Sequence, residues 1–456
     1  MATPSANAVS TTAYVTAYGG YVASLLGGVK WGGAAGTGVS LSYSFLGATA
    51  YYANDYTSLR EFDAYQAMTT TQQTAVKSAL QAWAMVSKVS FVQTLDNAST
   101  VGELRFGYTA NVRAGSAAHS YYPNNVPEAG DVWIGNDYYA DSVARGSYIY
   151  TTLQHEIGHA LGLNHSFNMG TRDNYFHSIM SYTASPWSAD GDNYASYYPT
   201  TPMYDDIVAI QFIYGRDPAT NAGNTTYTFG NAPYFQTLYD AGGTDTILYA
   251  GSASCTIRLS AGAFSALSQP IYFSGGASSR ETVCIGPNTL IENATGGALA
   301  DTLLGNGANN ILNGRGGSDR LVGGSGNDTV IGGVGRDVLT GGAGTDYFDF
   351  NSVGEIGTAP RARDVVMDFS LIDDYLDLRT IDANSLTPGV NDAFGSIAAG
   401  RSFNGVPGAL RYFYSDAAGT GNDRTFVIGD VDGDRLADFQ IELVGLIALR
   451  PLDILE

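Results

Sequence analysis

The sequence predicts a two-part α+β chain: an N-terminal α/β domain with a metal-binding helix in its middle, followed by a C-terminal parallel β-roll. Three observations carry this. His155, His159 and His165 fall within one eleven-residue stretch that opens with helical spacing. Upstream of it, helical and alternating apolar patterns mix. Downstream, from Gly296 to Asp349, a nine-residue unit runs six times without a gap.

The elements follow in order. Residues 1–28, rich in Ala, Thr, Ser, Gly and Tyr, read as an N-terminal extension or short propeptide ahead of a metal domain at 29–215. Residues 71–88 predict a helix, with Thr71 as N-cap and Val76, Leu80, Trp83 and Val86 at helical spacing. Leu104–Tyr108 alternates like a strand, and Val132–Ile134 is another short one. Helices are expected at about 148–162 and 204–214. Helices on a mixed sheet make the α/β domain. Residues 216–456 then turn to short β segments divided by Gly and Asn.

The central motif is His155-Glu156-Ile157-Gly158-His159-Ala160-Leu161-Gly162-Leu163-Asn164-His165. His155 and His159 lie one helical turn apart on one face, so two imidazoles can hold one Zn²⁺. Glu156 stands beside the first of them, placed to act as general base toward an attacking water. Gly162 can stop the helix and turn the chain so that His165 completes the triad. Three protein ligands leave one position open, the mark of a catalytic zinc rather than a structural one. Fifteen residues after His165 stand Met180 and then, two further on, Tyr182.

The six repeats begin at Gly296, Gly305, Gly314, Gly323, Gly332 and Gly341. Position six is Asp301, Asn310, Asp319, Asp328, Asp337 and Asp346, and position eight is always apolar. This is the pattern of a calcium-binding parallel β-roll. The Gly-rich half makes a tight turn, the carboxylate supplies charge, and the short strand buries its position-eight side chain.

Composition sets bounds. The chain has 456 residues, 44% of them hydrophobic, and a formal net charge of −21. Residues 1–215 carry a net −7 and residues 216–456 a net −14. That disfavours nucleic acid as a partner and suits a cation binder. No apolar run approaches the roughly 18 residues that would span a bilayer. The first basic residue is Lys30, so a Sec-type leader is not expected. Cys255 and Cys284 are the only cysteines. They could pair or stay as buried thiols, and neither precedes the zinc helix to latch it. Asp430-Val431-Asp432-Gly433-Asp434 is not an EF-hand loop, because Arg435 and Ile441 stand where Gly and Glu are needed. It reads as an acidic turn. His119 and His177 read as satisfied or solvated side chains rather than cleft residues.

The zinc motif with Ser178-Ile179-Met180-Ser181-Tyr182 resembles the metzincin signature with its Met-turn. Together with the repeats, it makes the chain similar to the serralysins, secreted metzincin proteases with a calcium-binding roll. Pro202–Gln211, Asp240–Thr246 and Ile291–Ala294 match further family segments. The resemblance implies a zinc endopeptidase in which Met180 lies beneath the metal and Tyr182 ligates zinc or stabilises the oxyanion. It implies calcium ligands at Gly223, Thr225, Asp240, Gly242, Gly243, Asp245 and Glu292. It implies others at positions two, four and six of the repeats: Gly297, Leu299 and Asp301; Asn306, Ala308 and Asn310; Arg315, Gly317 and Asp319; Gly324, Gly326 and Asp328; Gly333, Gly335 and Asp337; Gly342, Gly344 and Asp346. Asp368 and Asp374 match one more calcium segment. One catalytic Zn²⁺ and several structural Ca²⁺ follow. So do protein or peptide substrates, a monomer, export by a type I (ABC) apparatus, and an extracellular bacterial setting, with cell-surface association left open. The chain departs from the family in its short segment of fourteen residues between His165 and Met180, in Thr183 where Trp is usual, and in Glu456 at the end. The alternative is a calcium-dependent binding or surface-layer protein with a vestigial protease domain. The intact Glu156 speaks against it.

Overall fold

A computed structural model describes residues 9–15, 20–53, 56–113, 115–415 and 422–456. The chain forms two compact units. The first takes the residues up to 222 together with Pro233–Ala241 and Ser268–Thr289. The second takes Gly223–Ala232, Gly242–Leu267 and Leu290–Glu456. The units therefore interleave in sequence instead of meeting at a single cut after residue 215. One reason is that Gln236–Leu238 and Ser278–Ile285 pair as parallel strands within the first unit.

The first unit is built on a sheet ordered Val89–Gln93, Val39–Phe45, Leu104–Thr109, Val132–Gly135, Ala118–Ser120. The first four strands are parallel, and the edge strand Ala118–Ser120 runs antiparallel to its neighbour. Helix α1, Thr70–Val86, buries Val76, Leu80, Trp83 and Val86, the residues at helical spacing. Its cap is Thr69, not the expected Thr71. Thr69 Oγ accepts the Gln72 N–H, and Gln72 Oε1 accepts the Thr69 N–H at 2.8 Å. A capping box needs an acceptor side chain three residues on, which Gln72 provides for Thr69. Thr71 would have only Thr74. Helix α2, Tyr148–Ala160, is buried along nearly all its length and takes the Trp83 indole N–H at the Gln154 carbonyl, 3.0 Å. Helix α3, Tyr204–Tyr214, stops at Gly215, whose φ is 82°. Of residues 1–28, positions 1–8 and 16–19 lie outside the described residues. Thr11–Ala13 pairs with Val29–Trp31, and the Leu25 carbonyl accepts the Asn164 N–H at 2.9 Å.

The second unit contains the roll. One parallel sheet runs Thr226–Phe229, Thr246–Tyr249, Asn293–Thr295, Ile311–Asn313, Thr329–Ile331, Tyr347–Asp349, Tyr375–Asp377 and Ile454–Leu455. A second runs Thr256–Arg258, Thr302–Leu304, Arg320–Ser325, Val338–Ala343, Val365–Val366 and Phe439–Val444. Successive repeats alternate between the sheets, so partners are 18 residues apart: Leu312 with Val330, Leu303 with Leu321, and Leu321 with Leu339. These position-eight side chains are fully buried. Position one is glycine for a steric reason. A Cβ on Gly314 would lie 2.3 Å from Asp319 Oδ2, and one on Gly323 would lie 2.2 Å from Asp328 Oδ2. Each position-six carboxylate occupies the space that a side chain at position one would need.

Residues 216–456, expected as a β-roll domain with a C-terminal secretion region, do not keep the roll's parallel pairing to the end of the second sheet. Ala409–Ser415, Arg424–Asp430 and Phe439–Val444 form an antiparallel meander. Arg424–Asp430 and Phe439–Val444 carry no nine-residue period, and a short acidic turn reverses the chain between them. Asp430 caps that turn through the N–H groups of Gly433 and Arg435. Cys255 and Cys284 are buried and form no disulfide. Leu321→Ala should cost about 2–5 kcal/mol, the usual range for a fully buried leucine. Denaturant unfolding of the full chain, read on the transition of the second unit, tests this; a loss under about 1 kcal/mol would show a compliant core.

Candidate active site and metal centres

Helix α2 brings the first two histidines together and its end delivers the third. Ser147 caps it by accepting the Tyr150 N–H. Gly162 then turns the chain with φ of 103°, and a Cβ there would lie 2.5 Å from the Val29 carbonyl oxygen. Only glycine suits both demands. His155, His159 and His165 each offer a nitrogen within 4.8 Å of the others. His155 Nδ1 is held by the Ile179 carbonyl at 2.8 Å and His159 Nδ1 by the Leu163 carbonyl at 2.6 Å. With those protons engaged, the Nε2 lone pairs point inward. His159 Nε2 and His165 Nε2 are 3.0 Å apart, and His155 Nε2 is buried without a hydrogen-bond partner among the described residues. Burial first, then His165 nearby, lowers the His155 pKa to about 4. Neutral imidazoles converging on one point, one nitrogen unsatisfied, fit a divalent cation such as zinc.

Met180 is fully buried beneath α2: a Cβ on Gly158 would lie 2.6 Å from its sulfur. Asp206, in the first turn of α3, holds the Met-turn in place. Its carboxylate accepts Ser178 Oγ–H at 2.6 Å, the Ile179 N–H at 2.8 Å and the Met203 N–H at 2.9 Å. Since Ile179 also holds His155, this carboxylate fixes a histidine of the triad at second hand. Sequence reasoning placed Asp206 in a matching helix but gave it no role.

Glu156 is buried, and burial raises its pKa to about 7. Ser120, on the edge strand, donates to Glu156 Oε2 at 2.7 Å. The Tyr182 hydroxyl lies 2.8 Å from His165 Nε2, and its ring stacks on His155 at 5.5 Å. It is 46% exposed, so it can face an arriving ligand. A cavity of about 230 Å³ opens beside Glu156, His155 and Tyr182, lined further by Tyr148, Thr151, Thr152, Tyr175, Ser181 and Asn193. Phe167, 55% exposed, stacks on His165 at 4.6 Å. Phe167 has no sequence signal beyond its place just after the motif, and Ser120, far upstream, has none. His119 is buried: its Nε2 lies 2.8 Å from Glu61 Oε1, while its Nδ1 has no hydrogen-bond partner among the described residues, so it is only half satisfied. His177 offers its carbonyl to the Asp205 N–H.

The expected calcium residues fall into two groups in the second unit. Around the first loop, Asp245 Oδ1 accepts the Thr225 N–H at 2.7 Å and Glu292 Oε2 accepts the Asp245 N–H at 2.7 Å. Gly242 and Gly243 there have φ of 145° and 138°, and Gly243 packs on Gly223. Asp240 belongs to the first unit. In the repeats, each position-six N–H donates to the next carboxylate in its row: Asp301 to Asp319, Asp319 to Asp337, and Asp337 to Asp364. The other row runs Asn310, Asp328, Asp346, Asp374. Asp364 was not expected. Asp368 instead caps the Gly341 and Gly342 N–H groups and is exposed. The second oxygens of Asp319, Asp328, Asp337, Asp346 and Asp364 are buried with no partner among the described residues. Such oxygens fit a hard cation.

Those carboxyls have a consequence for acid. Burial raises the pKa of Asp319 to about 7 and those of Asp328 and Asp337 to about 6, from 3.8. The folded unit then holds protons that the unfolded chain releases. Stability from this source is full below about pH 4 and is lost as pH rises through about 6–7. With calcium chelated, the urea midpoint of the second unit should be higher at pH 5 than at pH 7.5. A midpoint that rises with pH across that window would refute the assignment.

Comparison with known proteins agrees with this geometry. The Matrixin family model matches residues 55–215, and the model described as Peptidase M10 serralysin C terminal matches residues 206–455. "Metalloprotease AprA" of Pseudomonas entomophila (strain L48) is 31% identical over 308 residues, 60% of this chain and 60% of that protein. "Serralysin C" of Dickeya chrysanthemi is 33% identical over 309 residues, 60% of this chain and 61% of that one. "Serralysin G" of the same organism is 33% identical over 322 residues, 62% and 63%. The chain thus spans about three fifths of the length of these relatives. Among the described residues no helix is long and apolar enough to cross a membrane.

Proposed function

This chain belongs to the peptidase M10 serralysin family, and from that premise we propose that it is a zinc-dependent endopeptidase of extracellular proteins. Residues 29–215 carry the reaction, and residues 216–456 fold on calcium and support export. The convergence of three neutral imidazoles beside a buried Glu156 carries the reading. His155, His159 and His165 would hold the zinc, with Tyr182 able to join them. When bound, the zinc supplies Lewis acidity toward the scissile carbonyl and the attacking water.

The chain's own residues do the rest. Glu156 takes a proton from the water and returns it to the leaving amine. Ser120 donates to Glu156 Oε2 and so orients the carboxylate. Tyr182 swings its hydroxyl from His165 to the oxyanion of the tetrahedral intermediate. The cavity beside Glu156 takes one substrate side chain. Apart from Glu156 its lining offers the His155 imidazole, hydroxyls, the Asn193 amide, aromatic rings and small apolar residues, so a neutral side chain suits it. The edge strand Ala118–Ser120 can align an extended peptide by strand addition.

Glu156→Ala should keep its zinc and lose at least roughly 10²-fold in kcat, the lower range for a general base. Casein or peptide hydrolysis with zinc content measured in parallel tests this, and substantial activity in that variant would sink the mechanism. His159→Ala should lose the metal itself. Tyr182→Phe should lower kcat much more than it changes KM, because its hydrogen bond forms mainly in the transition state. An unchanged kcat would make Tyr182 a packing residue. Calcium chelation should remove β signal from the circular dichroism of the full chain, and added Ca²⁺, but not Zn²⁺, should restore it. A spectrum indifferent to chelator would mean that the repeats are a calcium-independent spacer.

A further inference from the structure

Three exposed aromatic rings stand against the three imidazoles of the triad. Tyr182 stacks on His155 at 5.5 Å, Tyr122 tilts on His159 at 5.3 Å, and Phe167 stacks on His165 at 4.6 Å with the planes 14° apart. They are 46%, 41% and 55% exposed. The tyrosine hydroxyls are engaged at the triad, Tyr122 Oη 3.2 Å from His159 Nδ1 and Tyr182 Oη 2.8 Å from His165 Nε2. What the three rings offer to a ligand is then mainly their apolar faces.

Phe167 is held outward by a pinned turn. The Ser166 carbonyl accepts the Met169 N–H at 2.8 Å, which makes Phe167 and Asn168 the central residues of a β-turn. Ser166 and Met169 are fully buried, and Ser166 Oγ donates to Asp173 Oδ1 at 2.6 Å. A lone exposed phenylalanine is ordinary on a protein surface. This one is fixed on both sides, lies flat on a histidine of the triad and meets Tyr182 edge-on at 5.3 Å. An apolar ring presented on a rigid support loses little freedom when a partner covers it.

The cavity gives the substrate its direction. Glu156 lines the cavity and returns the proton to the leaving amine, so the cavity belongs to the leaving half of the peptide. Its wall includes Gly115–Ala118, the approach to the edge strand, and does not include Ser120–Tyr122 at the far end. A peptide laid along that strand with its leaving half beside residues 115–118 runs antiparallel to it. Its acyl half, the part N-terminal to the scissile bond, then passes Ser120 and Tyr122. From Tyr122 a chain of ring contacts leads through His159 and His165 to Phe167. Phe167 is not part of the cavity's lining, whereas Tyr182 is shared between the cavity and the Phe167 face.

We propose that Phe167, with Tyr122, forms the recognition surface for an aromatic side chain on the acyl side of the scissile bond, at one of the two residues before it, and that Phe167 determines this specificity. The inference rests on the endopeptidase reading above. Aromatic side chains pair with one another in offset or edge-to-face geometry, and Phe167 keeps more than half of its surface for such a partner. The competing occupant is a lysine or arginine side chain, since a cation also binds a ring face.

The test uses the full-length chain loaded with zinc and calcium. Fluorogenic peptides carry Phe, Leu, Ala or Lys at each of the two acyl-side positions, and cleavage points are mapped by mass spectrometry. The parent chain should cleave the best Phe peptide with kcat/KM at least about ten-fold above its Ala counterpart, the low end for discrimination by apolar contact. In Phe167→Ala, with zinc content measured in parallel, that ratio should fall close to one. The ratio is the readout because a general loss of activity does not move it. In the Glu156→Ala background, which binds without cutting, calorimetry should show the same preference in Kd and its loss when Phe167→Ala is added. Should Phe167→Ala lose zinc, Phe167→Leu, which still covers His165, takes its place and should move the preference from the Phe to the Leu peptide. A Phe-to-Ala ratio that these substitutions leave unchanged, a preference for Lys, or a preference confined to the leaving side overturns the proposal. A zinc-loaded parent chain that cuts none of the peptides counts against the endopeptidase reading instead, and the binding comparison then still decides whether Phe167 recognises the peptide.

Discussion

A buried oxygen or nitrogen with no partner costs roughly 1–3 kcal/mol, and more if it is charged. Such atoms cluster at two places among the described residues: His155 Nε2 stands at the histidine triad of one unit, and five aspartate oxygens line the roll of the other. Neither arrangement is cheap as it stands. Stacked carboxylates 18 residues apart repel one another, and converging imidazole lone pairs do the same. Both become favourable when a cation sits among them, because binding free energy then adds to folding free energy. The two centres differ in chemistry. Neutral nitrogens suit zinc, and buried carboxylate oxygens suit calcium. Selectivity is thus built from donor type before any detail of geometry matters.

The zinc-type centre depends on supports that lie away from it in sequence. Asp206 binds the Met-turn at Ser178 and Ile179, and the Ile179 carbonyl orients His155. Gly162 brings His165 back only because Val29 crosses where a side chain would otherwise stand. Met180 fills the space under Gly158. Four separated segments therefore fix three imidazoles. The segment between His165 and Met180 is also anchored, by Ser166 to Asp173 at 2.6 Å and by Arg172 to Asp205 at 2.7 Å. Phe167 in this segment is exposed and stacks on His165, which gives the site an aromatic face.

Much of this was legible in the sequence, for physical reasons. The strand pairs of the roll have a strong period, and the histidine spacing in α2 is helical by geometry. The Thr71 cap failed because α1 starts two residues earlier, where Gln72 completes the box with Thr69. The interleaving of the two units was invisible, because short strands such as Gln236–Leu238 carry no sign of which partner they will choose. The antiparallel meander near the end has no glycine repeat to announce it. Ser120 and Asp364 were missed for a common reason: each matters through a hydrogen bond to a residue far away in sequence, which spacing cannot report.

The repeats show where a sequence period and a structural period part company. All six units keep glycine at position one, because the position-six side chain fills the place of its missing Cβ. All six keep an apolar position eight, because the core demands it. Those two requirements belong to the roll as a stack of strands and hold with or without an ion. The demands at positions two and four are different, since they concern where an N–H or a carbonyl points. Arg315 meets its demand without being glycine, at φ of 68°, with its carbonyl accepting the Val334 N–H of the turn stacked on it. Leu299 and Ala308 do not take that conformation, and the carboxylate or amide at position six finds protein donors instead. The strand pattern thus specifies the roll, while the handedness of two loop residues specifies where charge is left unsatisfied.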